Sequence, residues 1–142
     1  MGFDLSGLNP IVKSDAPNIE EDYDAYRRWH DDNPGVYFRN NVWYWRPLWS
    51  FVCKECDDIL TARDAEMGSF NDGHKISKTK ANRIAKRLKK LLEIGDVDLH
   101  KAGYDGHVQE VDEKWADQYP FTVENVIAFT KFCEESGGFE IW

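Results

Sequence analysis

The chain has 142 residues, 42% of them hydrophobic and 14% aromatic, and 26 acidic against 18 basic side chains give it a net charge of −8. That length fits a single domain, residues 1–142, around one core, and the apolar content excludes a disordered-type composition. No apolar run approaches the roughly 20 residues of a membrane span, and the acidic balance argues against general affinity for phosphate backbones.

The amino terminus, MGFDLSGLNP, lacks the basic region and apolar stretch of a signal peptide. Three cysteines, an odd number, without a secretory signal indicate reduced thiols in a cytoplasm rather than a disulfide framework.

In chain order, Phe3 and Leu5 alternate ahead of Gly7 and Pro10, which predicts a short strand and a turn over 2–12. The acidic stretch from Ser14 to Gly35 contains Asn18 and Glu21, a capping-box-like start for a helix that aligns Ile19, Tyr23, Tyr26 and His30 on one face. Val36 to Asn40 reads as a strand. Pro47, tolerated in a first helical turn, is expected to open a helix to about Leu60, with Leu48, Phe51, Val52, Glu55 and Ile59 forming its mostly apolar stripe.

Residues 61–74, with Gly68, Asn71, Asp72 and Gly73, read as a loop. The next helix has the clearest signature: Ser77 caps it, Ile76 and Ala81 form a hydrophobic staple, and Ala81, Ile84, Ala85, Leu88, Leu91 and Leu92 recur at helical spacing up to Gly95. The acidic, glycine-punctuated stretch 96–119 suggests two short strands about an Asp105-Gly106 turn. Thr122 then caps a last helix, with Phe121 against Val126, and Gly137-Gly138 precedes a final strand, Phe139 to Trp142. Strands and helices mix without βαβ regularity, so the expected class is α+β, with three to four helices on a small, mainly antiparallel sheet.

Four features carry chemistry. The segment YFRNNVWYWRPLW, residues 37–49, interleaves rings and arginines. Phe38, Leu48, Trp49 and Val52 suit the core, whereas Tyr37, Arg39, Trp43 and Arg46 are the candidates for a partly open ligand-binding surface. The second feature is basic: Lys75, Lys78, Lys80, Arg83, Lys86, Arg87, Lys89 and Lys90 are eight of the chain's eighteen cations, and without them a net charge of −8 becomes −16. Lys80, Arg83, Lys86, Arg87 and Lys90 offer a nucleic-acid or anion contact. The competing reading, which the surrounding negative field favours, is a solvated face packed against the acidic segments 15–24 and 105–117.

Cys53 and Cys56 have the C-x-x-C spacing of half a zinc site, but a mid-helix position favours core packing, and no metal or cofactor is expected. Asp72 and His74 place a carboxylate near an imidazole, the minimum for a small enzyme, in a run that also suits a tight turn. Signatures for nucleophilic serine, Walker, dinucleotide and zinc-protease sites are absent, so no catalytic residue is assigned.

Together GFDLSGLNP, GVYFRNNVWYWRPLW and YPFTVENVIAFTKFCEESGGFEIW resemble a family of small proteins encoded by tailed bacteriophages and prophages. The likeness covers both ends and the middle third, and carries over no catalytic residues. Longer relatives bear a cysteine-rich insertion ahead of the final block, which this chain lacks, and that weakens a zinc reading further. The resemblance implies an accessory protein in the cytoplasm of an infected bacterium, acting by binding a host protein or a small nucleotide ligand to counteract defence. Nucleic-acid association through 75–90 and a small enzyme near Asp72 and His74 are the alternatives.

Overall fold

The computed structural model describes residues 2–111 and 119–142. Among the described residues ten elements follow one another: β1 (Gly2–Gly7), α1 (Tyr23–Asp32), β2 (Tyr37–Asn41), α2 (Val42–Glu55), α3 (Ala62–Met67), β3 (His74–Ile76), α4 (Lys78–Glu93), α5 (Asp96–Val111), α6 (Val123–Glu135) and β4 (Phe139–Ile141). The class is α+β, with six helices among the described residues rather than three or four. The sheet runs β2-β1-β4-β3 and every neighbouring pair is antiparallel.

Strand alternation separates the two faces of the sheet. Phe3, Leu5, Phe38, Ile76, Phe139 and Ile141 point inward and are buried against α2, α4 and α6. Trp45 is fully buried, stacked at 5.2 Å on Trp49 and at 5.6 Å on Phe3, and it donates its indole N–H to Gly68 O at 2.8 Å. The buried NH is thus satisfied, which lets a large ring sit at the centre of the core. On the other face Tyr37, Arg39, Lys75 and Trp142 are exposed.

Local chemistry accounts for where the observed elements depart from expectation. Helix α1 begins at Tyr23 because Asp22 caps it, accepting from Ala25 N–H at 2.9 Å, while Asn18 Oδ1 accepts from Glu20 N–H in the turn before. Helix α2 begins at Val42, five residues before Pro47, because Asn41 Oδ1 accepts from Tyr44 N–H at 3.1 Å. It ends at Glu55, and Ile59 and Leu60 reach the core from the turn that follows.

The expected loop 61–74 holds α3, closed by a capping box in which Thr61 and Asp64 each accept the other's backbone N–H at 3.0 Å. The expected strands about Asp105-Gly106 are instead part of α5, where Lys101 and Asp105, one turn apart, form an ion pair at 2.8 Å. The rest of that expectation, 112–118, lies outside the described residues. Ser77 and Thr122 cap α4 and α6 as expected, and Gly95, with φ +84°, lies just beyond α4.

Candidate functional site

Beside the open end of the sheet lies an arm formed by residues 8–35. Its first part is held by the carboxyl end of α6: Leu8, Asn9 and Ile11 donate to Gly138, Ser136 and Glu135 carbonyls at 2.8, 3.0 and 2.8 Å. Its return is held by Asn33, which is buried, accepts from Lys13 N–H at 2.8 Å and donates to Trp29 O at 2.8 Å. Gly35 completes the fastening, since a Cβ there would lie 2.2 Å from Glu135 O. Helix α1 is therefore positioned from its carboxyl end, and none of its residues is buried.

Between this arm and the sheet runs a groove of about 640 Å³, with Ile19, Tyr23, Tyr26, Arg27 and His30 on one side and Ser6, Val36 and Tyr37 on the other. Tyr26 packs edge-on against His30 at 4.7 Å, and His30 against Tyr37 at 6.3 Å. The volume suits a small ligand, and the lining combines rings with a guanidinium.

Tyr37 and Arg39, two apart on β2, both reach Asp4 of β1: the Tyr37 hydroxyl donates to its Oδ1, and Arg39 Nε lies 3.2 Å from the same atom. Burial, the bond to Asp4 and its negative charge push the Tyr37 phenol up to about 12 against the opposing charge of Arg39, so it stays a protonated donor at neutral pH. Trp43 and Arg46 belong to the first two turns of α2, away from this groove's lining. Trp43 is 44% exposed and meets Tyr119 edge-on at 5.0 Å. The structure thus brings Tyr37 and Arg39 together and sets Trp43 and Arg46 apart from them. Arg27 is the groove residue that sequence reasoning missed, although the Ile19, Tyr23, Tyr26 and His30 face pointed to the right surface.

The basic helix is largely neutralised, but not by the expected segments. Five of the eight cations of 75–90 are paired: Lys75 of β3 with Glu140 and, on α4, Lys80 with Asp64, Arg83 and Arg87 with Asp58, and Lys89 with Glu134. The Arg87 contact is bidentate, at 2.9 and 2.8 Å, and holds the Asp58 carboxyl down at about 2. On α4 the partners come from the turn before α3, from α3 itself and from α6, and Lys75 meets β4, the strand paired with β3. Neither 15–24 nor the described part of 105–117 contributes a partner to these cations. Lys86 and Lys90 are exposed and form no ion pair among the described residues.

His74 does not pair with Asp72. Its Nε2 lies 2.8 Å from Asp64 Oδ1, and Lys80 Nζ lies 2.5 Å from Oδ2. The Thr61-x-x-Asp64 capping pattern was the available signal for this carboxylate, and only folding joins it to β3 and α4. Burial pushes both Cys53 and Cys56 up to about 12, where they are thiols at neutral pH, and Cys133 is fully buried. No group of three or more potential metal ligands occurs among the described residues, and no helix among them is long and apolar enough to cross a membrane. No family model, curated protein or solved structure matches the chain.

Proposed function

We propose that this is a phage or prophage accessory protein of the infected bacterial cytoplasm that acts by binding, without catalysis, and counteracts a host defence component through the groove between α1 and the sheet. A small nucleotide signal is the ligand whose chemistry fits best. The observation that carries this reading is the lining itself: Tyr23, Tyr26, His30 and Tyr37 offer ring faces and edges for a base, and Arg27 is a cation beside them for a phosphate. Arg39, two residues beyond Tyr37 on β2, is a second guanidinium nearby, paired with Asp4.

The test is calorimetric titration with a panel of mono-, di- and cyclic nucleotides. Binding is expected, with Tyr37→Ala and Arg27→Ala each weakening it about tenfold, the scale of one lost stacking or charge-assisted contact, and Trp43→Ala leaving it unchanged. A ligand whose affinity follows Trp43 and ignores Tyr37 would move the site to α2.

A host protein is the second reading, because Leu8, Ile11, Val12, Ile19 and Tyr23 are all exposed along the same arm. It predicts a stable complex that Ile11→Glu with Val12→Glu disrupts. Nucleic-acid binding through 75–90 has less support, given five internal pairs, and an Asp72-His74 enzyme loses its proposed dyad to Asp64.

A further inference from the structure

We infer, resting on the nucleotide reading of the groove between α1 and the sheet, that the ligand is a dinucleotide, and that a second groove between the carboxyl end of α1 and helix α6 holds one of its bases, a guanine.

The second groove has a volume of about 430 Å³, with His30, Asp31 and Pro34 of the arm on one side and Ile127, Ala128 and Lys131 of α6 on the other. His30 and Tyr37 belong to the lining of both grooves. Their rings meet edge-on, with centroids 6.3 Å apart and planes at 70°, so the two spaces adjoin along this pair. The helical repeat of α1 accounts for the sharing. Tyr23, Arg27 and His30 recur on the flank that lines the first groove, and Asp31, one residue past His30, is turned roughly 100° further round the helix and lines the second. A ring standing between two spaces offers a face or an edge to each. A ligand with a base in each space crosses the pair by its sugar-phosphate link.

Charge distinguishes the two spaces. Among the described residues the first is lined by Arg27 and by no carboxylate, whereas the second is lined by Asp31, Glu124 and Lys131. All four of these side chains are exposed, and none forms an ion pair among the described residues. Phe38, Ile127 and Ala128 supply the apolar surface against which a base loses its water. The carboxylates select which base that is. An ionised carboxylate only accepts hydrogen bonds, and the pairing edge of guanine sets a ring N–H beside an amino group, two donors that one carboxylate accepts together. Adenine sets a ring acceptor beside its amino group, and a carboxylate repels it. Arg27 and Lys131 provide one cation in each groove for the two phosphates of a 5′-phosphorylated dinucleotide.

The experiment is calorimetric titration of the full chain with AMP, GMP, a 5′-phosphorylated diguanylate and the matching diadenylate, with thermal midpoints of every variant as the control on folding. The diguanylate is expected to bind about a hundredfold more tightly than GMP, the gain from linking two occupied subsites. It should bind about tenfold more tightly than the diadenylate, the scale of one hydrogen bond to a charged group. Ala128→Trp fills the second groove and should bring the diguanylate down to the GMP value while leaving AMP, held in the first groove, unchanged. Asp31→Asn with Glu124→Gln keeps the shape of the groove and should abolish the preference for guanine. A diguanylate no tighter than GMP, an advantage that survives Ala128→Trp, or equal binding of the two dinucleotides would overturn the inference and leave the nucleotide reading of the first groove standing. Binding of none of the four would overturn that reading itself, and the dinucleotide with it.

Discussion

Asp64 is 5% exposed and accepts from Thr61 N–H, His74 and Lys80, joining three consecutive elements through one carboxylate. Burial raises its pKa, but the bonds from Lys80, Thr61 and His74 outweigh that and hold the group below the ordinary carboxylate range. Stability from a depressed carboxyl is complete above its unfolded value, near 3.9, and is lost as pH falls through the folded one. Asp64→Asn is expected to cost about 2 kcal/mol at neutral pH and to flatten the acid limb below about pH 4, measured by urea denaturation across pH. An unchanged limb would mean that Asp64 contributes nothing there. His100 titrates in a different window. Burial lowers its pKa, helped by Lys54 and opposed by Glu55, with the ring 4.5 Å from Phe51 and 4.6 Å from Phe121. A histidine buried neutral supports the fold fully above its unfolded value, near 6.5, and that support is lost as pH falls through the lower folded value. The denaturation midpoint should therefore begin to fall below about pH 6.5, and His100→Phe should delete this first limb while leaving the Asp64 limb intact.

At the scale of elements, α1 is attached rather than embedded, since Asn33 and the backbone bonds of residues 8–13 hold it while its own side chains remain accessible. Asn33→Ala leaves Lys13 N–H without its acceptor and is expected to cost about 1–2 kcal/mol. The loss should concentrate in the arm, so exchange at Lys13 and through α1 should accelerate while that of α4 barely changes. Uniform acceleration would show instead that the arm and core open together. Helix α2 depends on Asn41 for a start ahead of Pro47, and Asn41→Ala should cost about 1 kcal/mol, the usual weight of an N-cap. Its thermal midpoint supplies the check.

For the molecule as a whole, charge is segregated but internally compensated: the basic segment 75–90 pairs five of its cations with acids of neighbouring elements. Duplex binding depends on cations available to displace counterions. No duplex complex is expected at physiological salt in an electrophoretic shift assay. A complex with steep salt dependence, lost on Lys86→Glu with Lys90→Glu, would reverse this and make α4 the functional surface.

Wherever a local pattern carries its own physical instruction, the sequence by itself determined the outcome. The alternation of Phe3 and Leu5, the Ser77 and Thr122 caps, the 3.6-residue stripe of α4 and the exposure of Tyr37 and Arg39 all follow from neighbours within a turn or a strand. The α+β class follows from their order. Tertiary structure decided the rest, because it depends on partners distant in the chain. His74 lies two residues from Asp72, yet pairs with Asp64 because β3 and α3 pack together. The cations of α4 find Asp58, Asp64 and Glu134, and Lys75 of β3 finds Glu140, rather than the longest acidic runs, since packing and not composition sets which charges meet. Residues 96–111 form a helix despite Gly103 and Gly106, where the weak intrinsic preference for helix is overridden by Val97, His100 and Tyr104 docking against the core. The groove likewise arises only when residues 8–35 fold back along the sheet, a juxtaposition for which no local rule exists.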